Sequence, residues 1–550
     1  MNIAIHVLVA VAVGLVTRRV LMIVGMDAGR ALFTCLCVVS LWALHPIQLT
    51  AVTYLVQRMT SLGALFSWFS FYFYLVARTP PGPGTVRRSV AYVAGVISLV
   101  LFLLGFLSKP HVAILPAMVV TTELLLFRSH GRMSRREWTV LVAGLAGTVM
   151  LIVATQPEWV ERTLRWATVD LWQPVLEARG GTPLHRLLSE PRVMFLYLSL
   201  FFFPLWSRFS LFWSMEPSRG LFTPPQTSLA IAALVGASYL VFRWRQSRPL
   251  VAWALACFLL GHVIEGTVIP LYLVFEHRMY LPSVFLLIGC AGLMWEFVDR
   301  RGWKGRRLAV PGTAIFLVIL ASLFANTYWR NAIWGDSRSF FLSEIEHNPG
   351  NYQLKVNYAD YLLSGRPGSD SDEGVKYSRT LITDLQRLNR TRDVKIRLKK
   401  LNSNLAVYYI RNERDMKRGL TYLLAAARYG YTPTILFNLG SFYFYAKARG
   451  NQDYLETLQR AGYDEDRKML GFLEISYRAG RENWFYTANL LNAYIYMLSE
   501  DPSNAVYAQR AEKVLEDNRP RFASHEEKLS ALKAYETSLR KTMGGGREDR

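Results

Sequence analysis

The chain has 550 residues, 52% of them hydrophobic, and its 63 Lys and Arg against 41 Asp and Glu give a formal net charge of +22. Length alone allows roughly two to four soluble domains, but repeated apolar runs of about 20 residues overrule that reading, because such runs span a bilayer. The positive charge does not indicate nucleic acid: no basic stripe with interleaved aromatics occurs in the polar part, and much of the charge lies in short loops between apolar runs.

Ten candidate spans lie near 3–20, 29–46, 60–78, 90–108, 112–128, 137–155, 227–243, 249–270, 281–297 and 309–327. Basic clusters fall between alternate pairs: Arg18-Arg19, Arg87-Arg88, Arg128 to Arg136, Arg243-Trp244-Arg245, and Arg300 to Arg307. If the spans simply alternate, all of these clusters share one face, which the positive-inside rule makes cytoplasmic. The opposite face, periplasmic if this is a bacterial inner membrane, receives the turns at His45-Pro46-Ile47, Lys109-Pro110 and Glu276-His277-Arg278. It also receives the loop 156–226 and everything after the last span. The run Val193 to Pro204 is too short for a crossing and is expected to be a half-helix or interfacial helix. The same parity leaves Met1 on the outer face with no span before it, which predicts either a missing upstream helix or a true start with a short N-out helix. The four cysteines, Cys35, Cys37, Cys257 and Cys290, sit inside apolar runs without metal spacing and read as small buried residues.

Beyond Trp329 the chain turns polar and rich in Tyr, Asn, Leu and Ala. Asn404-Leu405-Ala406 and Asn438-Leu439-Gly440 are 34 residues apart, the tetratricopeptide period. Each triplet is followed by a tyrosine, Tyr408 and Tyr443. Ala425-Ala426-Ala427 supplies a second helix, and Pro433 ends that repeat. Asn357-Tyr358-Ala359 lies 47 residues before Asn404, one period plus an insertion of 13 that the polar stretch Ser364 to Gly374 can hold. Such pairs bury their apolar faces only by stacking, and the stack is either a peptide-binding surface or a rigid spacer. The expected organisation is all-α: a transmembrane bundle over 1–327, a tetratricopeptide-like solenoid over 328–540 and a frayed tail over 541–550.

The outer turns carry unusual charge. His45 is followed by Arg58 at the start of the next span; Lys109 follows Ser108; Glu265 precedes Glu276, His277, Arg278 and Tyr280. Ionisable groups at membrane depth are costly and usually functional, though snorkelling to the interface is the plainer alternative. A lipid-linked sugar presents a phosphate at this level. Arg58, Lys109 and Arg278 could neutralise it, His277 could hydrogen-bond it, and Glu265 or Glu276 could take a proton from an acceptor hydroxyl. No Gly-rich phosphate loop, zinc spacing or nucleophile elbow is present, which argues against an aqueous nucleotide-sugar enzyme.

These residues also carry a resemblance. His45-Pro46-Ile47 through Arg58, Ser108-Lys109, Thr182-Pro183-Leu184-His185-Arg186-Leu187-Leu188, Glu276-His277-Arg278 with Tyr280-Leu281-Pro282, and Trp329-Arg330 leading to Trp334 occur in an order that resembles bacterial relatives of the transmembrane and tetratricopeptide-repeat O-mannosyltransferases. The likeness covers about residues 1–450. It implies a GT-C glycosyltransferase fold and a polyprenyl-phosphate-linked sugar as donor, with no covalently bound cofactor and an open metal requirement. It also implies a protein or glycan acceptor held by the repeats. The family's catalytic Asp belongs to a first outer loop that this chain lacks; Asn2 and His6 look like the start of the family's second helix. Pro110 stands where the family often has Glu, and Trp213-Ser214 near its His-Asp pair. Two functions are therefore carried forward: a membrane glycosyltransferase or a truncated copy of one, and a non-enzymatic membrane-anchored scaffold for envelope assembly.

Overall fold

The apolar runs fold as helices, and they break where proline or a buried charge interrupts them. The computed structural model describes residues 1–81, 84–127, 182–266, 272–302, 306–389 and 391–544. The expected span 137–155, the basic stretch Arg128 to Arg136, the first part of the loop 156–226 and the last residues of the tail lie outside them. Among the described residues the elements are all helical, apart from one isolated β-bridge between Gly220 and Thr223. The chain divides into two compact units, Met1–Asn348 and Pro349–Arg550.

Among the described residues of the first unit, five helices are long and apolar enough to cross a membrane: Asn2–Ile23, Leu55–Arg78, Thr85–Ser108, Gln226–Trp244 and Pro311–Gly335. Ala28–Ala43 and Pro46–Val52 together make a further candidate, bent by 55°, while Pro110–Leu125 and Pro249–Val263 are apolar but shorter. Among the described residues the helices depart from the run-by-run reading for a local reason. The turns at His45, Lys109 and Glu276 are not loops between full-length helices. Each opens with one extended residue, His45 (φ −72°, ψ 127°), Lys109 (φ −155°, ψ 125°) or Phe275 (φ −149°, ψ 115°), and continues as a short 3-10 helix, Pro46–Gln48, Pro110–Ile114 or Glu276–Met279. Pro46 and Pro110 force the first two breaks, because proline drives the preceding residue out of the helical region.

In chain order the helices of this unit are α1 Asn2–Ile23, α2 Ala28–Ala43, α3 Leu49–Val52, α4 Arg58–Arg78, α5 Gly84–Ser108, α6 Leu115–Leu125, α7 Pro183–Phe202, α8 Gln226–Trp244, α9 Pro249–Val263, α10 Ser283–Arg300, α11 Arg306–Gly335 and α12 Ser337–His347. The half-helix expected at 193–204 is instead the second half of α7, a 20-residue helix. Its start is fixed by the Thr182 hydroxyl, which accepts from the His185 amide at 3.3 Å, and by Pro183 at the first position. Arg186, Glu190 and Arg192 make α7 too polar to read as an apolar span.

Within a bilayer, apolar burial does not drive helices together, so close packing and interhelical hydrogen bonds must. Trp42, Trp253, Phe71, Phe258 and Phe285 fill the core. The Trp253 indole donates to Thr122 Oγ1 at 2.8 Å, the Trp42 indole to the Tyr280 carbonyl at 3.1 Å, and Ser70 Oγ to the Ser98 carbonyl at 2.7 Å. Bonds of this kind contribute about 0.6 kcal/mol each. α4 and α5 meet closely at Gly63 and Gly105: a Cβ on Gly105 would lie 3.2 Å from Phe66 Cβ, and one on Gly63 would lie 3.3 Å from Lys109 Cβ. Those glycines seat the Lys109 turn against α4.

The second unit contains α13 Tyr352–Leu362, α14 Ser371–Arg387, α15 Arg392–Arg411, α16 Met416–Ala427, α17 Pro433–Ala448, α18 Gln452–Arg460, α19 Asp466–Ala479, α20 Trp484–Glu500, α21 Ala505–Asn518 and α22 Glu526–Gly544. Most starts are capped by side chains, among them Asn351, Asp370, Thr391, Asp415, Thr432 and Asn451, each accepting from an amide three residues on. Helices pack on their chain neighbours and, as in α13 on α15 and α17 on α19, on the next but one. The two triplets that set the 34-residue period lie in α15 and α17. Leu405 and Leu439 are fully buried, and Gly440 lets α17 press against Leu473 and the Met469 carbonyl.

Candidate functional site

The break after α5 places Lys109, the end of α9 places Glu265, and the 3-10 turn Glu276–Met279 places Arg278. The three meet. Lys109 Nζ lies 2.9 Å from Glu265 Oε1 and donates to Thr60 Oγ1 at 3.0 Å; Arg278 Nε lies 3.5 Å from Glu265 Oε2. Arg278 also donates to the carbonyls of Leu273 and Tyr272, at 2.8 and 2.6 Å. α7 adds a second pair that sequence reasoning missed. Arg186 Nη2 donates to Glu190 Oε1 at 2.7 Å and to the Glu265 carbonyl at 3.3 Å. Among the described residues the cluster thus holds three cations and two carboxylates.

Three histidines line the same cluster. His111, His262 and His277 are the imidazoles whose charge would be felt by Lys109, Glu265 or Arg278. Each keeps one buried ring nitrogen without a hydrogen-bond partner: Nδ1 of His111 and His277, Nε2 of His262. Burial, with Lys109 adding to it, holds the His277 imidazole well below its usual range and hence neutral. Burial also lowers the Lys109 ammonium, against the pull of Glu265. It pushes the Glu190 carboxyl up to about 7, even though Arg278 and Arg186 oppose the shift. The 2.7 Å contact with Arg186 therefore does not offset the desolvation of Glu190. Tyr197 braces the site: its hydroxyl donates to the Phe275 carbonyl at 3.0 Å and accepts from the Phe275 amide at 2.8 Å, and its ring stacks on His262.

The other expected site residues go elsewhere. Arg58 does not join Lys109 and Arg278 in one pocket. It lies only two residues from Lys109's partner Thr60 on α4, but its Nε donates to Asn2 Oδ1 at 2.8 Å, and Asn2 in turn donates to the Val52 carbonyl. Glu276, a near neighbour of Arg278 in sequence, faces away from the cluster. It forms a close ion pair with Arg330 and accepts from the Ser210 amide at 3.0 Å and the Trp213 indole at 3.3 Å. Burial raises its carboxyl, with Arg330 working against that. Glu344 completes this second network by accepting from Ser210 Oγ at 2.5 Å and from the Leu211 and Phe212 amides. Together Glu276 and Glu344 strap the segment 210–213 onto α11 and α12. With its oxygens so occupied, Glu276 anchors this network.

His45 has a defined role in packing. Its Nδ1 accepts from the Ile47 amide at 3.1 Å, so its Nε2 carries the proton and donates to the Phe201 carbonyl at 2.9 Å. Tyr280 bonds through its hydroxyl to His6 Nδ1 at 2.8 Å. His45 and Tyr280 therefore tie their turns to α7 and α1. Among the described residues no group of His, Cys, Asp and Glu could hold a metal ion, and the four cysteines are free. No family model, curated protein or solved structure matches this chain.

Proposed function

We propose that the first unit is a multi-pass GT-C-like membrane domain that moves a sugar from a polyprenyl-phosphate carrier to a protein or glycan acceptor on the outer face. In this reading the second unit is a tetratricopeptide-like solenoid on that face, the periplasm of a bacterial inner membrane, and holds the acceptor. The observation that carries the reading is the Lys109–Glu265–Arg278 cluster with its three unsatisfied imidazoles. Cations and unused ring nitrogens gathered at helix breaks suit a phosphate group. The Arg278 contact with Glu265, at 3.5 Å, is the longer of the two, and it is the contact a phosphate would replace. Lys109 and Arg278 would then stabilise the charge that develops on the departing polyprenyl phosphate.

The experiment is transfer from a polyprenyl-phosphate sugar by the full chain in vesicles. Arg278→Ala should abolish transfer while the protein still inserts; normal transfer by that variant removes Arg278 from the site. The scaffold reading is favoured by a different observation, that Glu265 already contacts both cations. It expects no transfer by the wild type and a loss of stability in Arg278→Ala.

A further inference from the structure

A pocket of about 400 Å³ opens in the second unit between one face of α14 and the junction of α15 with α16. That volume lies within the ~300–1,000 Å³ of specific ligand sites. Asp372, Lys376, Arg379 and Thr380 recur at helical spacing along the α14 face and line the pocket. Arg379 Nε donates to the Tyr422 hydroxyl at 3.0 Å and its Nη2 to the Tyr409 hydroxyl at 2.9 Å. The two phenol rings lie parallel, with centroids 5.6 Å apart. Both acceptors are neutral, and among the described residues no carboxylate pairs with Arg379. The tyrosines thus fix one edge of the guanidinium and leave its charge and its Nη1 side unspent. One turn back, the Lys376 ammonium has neither a hydrogen bond nor an ion pair among the described residues. The other end of the pocket is acidic. Glu413 accepts from the Tyr408 hydroxyl at 2.8 Å. Burial, that bond and the neighbouring Asp372 charge push the Tyr408 phenol up to about 12.

We propose that this pocket binds a uronate-bearing glycan, its carboxylate on the free side of Arg379 and its hydroxyls donating to Asp372 and Glu413. The inference rests on reading the second unit as the holder of a glycan acceptor. The distribution of charge selects that occupant. A guanidinium fixed in advance reads a planar carboxylate bidentately and loses little freedom in doing so. Asp372 stands two helical turns from Arg379, about 10 Å along α14. Asp372 and Glu413 repel a phosphate dianion or a run of acidic side chains, but they accept from sugar hydroxyls. Val375 is the single aliphatic side chain of the lining, so a peptide would find little apolar surface to cover.

The test uses the full chain in detergent and trigalacturonate labelled with fluorescein at its reducing end, read by anisotropy. Binding should saturate and weaken with salt. The methyl-esterified trimer keeps the shape without the charge and should bind the wild type about tenfold more weakly. Arg379→Met should weaken binding of the acid by about the same factor, with the helical circular dichroism melt unchanged. Lys395→Met, at an exposed position on α15 outside the pocket, should leave binding as it is. Equal binding of acid and ester, equal loss in both variants, or no binding overturns the proposal. So does tighter binding of labelled hexaglutamate, or displacement by inorganic phosphate as readily as by unlabelled trimer. Sugar transfer is scored on the same preparation. Binding of trigalacturonate without transfer supports the pocket and refutes the transferase reading; transfer without that binding refutes the pocket alone.

Discussion

Glu265→Gln tests the centre of the membrane unit. The substitution keeps the volume and removes the one charge that Lys109 and Arg278 share. The side chains of the three residues are 13%, 11% and 4% exposed, respectively, so water does little to replace the lost pairing. Breaking a buried pair from one side costs about 3–5 kcal/mol. Arg278 keeps the Leu273 and Tyr272 carbonyls and Lys109 keeps Thr60, which places the expected loss at the low end, about 3 kcal/mol. Adding Lys109→Met removes one of the two stranded cations and should restore about 1–2 kcal/mol, a coupling expected between residues in contact. Thermal unfolding in a fixed detergent, followed by tryptophan fluorescence, reads all three proteins. Inorganic phosphate should raise the midpoint of Glu265→Gln more than that of the wild type, since the anion takes the place of the missing carboxylate. At a hundredfold excess over its dissociation constant the gain is about 2.7 kcal/mol. A single variant that melts with the wild type and ignores phosphate would show that the cluster holds no functional charge balance.

Three more expectations follow from particular residues. The Glu190 carboxyl is held near 7 in the folded protein against 4.5 for the free group. A raised carboxyl contributes stability that is fully present below the lower value and is lost as pH rises through the upper one. The wild type should therefore lose stability between about pH 4.5 and 7 relative to Glu190→Gln, and parallel pH–melting curves for the two would contradict this. In the second unit, a Cβ on Gly440 would sit 2.7 Å from Leu473 Cγ and 3.0 Å from the Met469 carbonyl. Gly440→Ala should destabilise that unit by about 1–3 kcal/mol through overpacking, seen as an earlier loss of helical circular dichroism; an unchanged melt would mean that α17 and α19 are not held so closely. For orientation, a reporter active only in the periplasm should work when fused after Arg550 and be silent near Arg132, and the opposite pattern would reverse the proposed faces.

The legible and illegible parts of the sequence separate by distance along the chain. Apolar length and proline breaks act locally, so the helices around His45 and Lys109 could be read directly. The 34-residue period was visible in buried pairs such as Leu405 and Leu439, although Tyr408 has Phe442 as its counterpart one period on, and Tyr443 matches Tyr409. All four are buried. Lys109 and Arg278 signalled themselves as charges at helix breaks. Arg58 gave the same signal, yet its partner is Asn2, and nothing in the local sequence distinguishes those outcomes. The role of Glu276 depended on Ser210 and Arg330, 66 and 54 residues away. The Arg186–Glu190 pair escapes a reading by apolar runs because α7 is too polar to register as a span. The available clue was their spacing of four after a Thr-Pro start, which is both a helix cap and an intrahelical pair.

The shared carboxylate also bears on how the protein is made. Lys109 is synthesised about 150 residues before Glu265, which at about 5–20 residues per second is an interval of about 8–30 s. Through that time its ammonium lacks Glu265, the carboxylate it contacts in the finished cluster. A flexible four-carbon stem at the end of α5 can reach up to the headgroups and keep the charge hydrated, then withdraw when α9 inserts and brings Glu265 alongside. On this account the Lys109–Glu265 pair closes only after α9 is made. A chain stopped before Glu265 should hold Lys109 in the interface, exposed to aqueous amine-reactive reagents that the finished protein excludes.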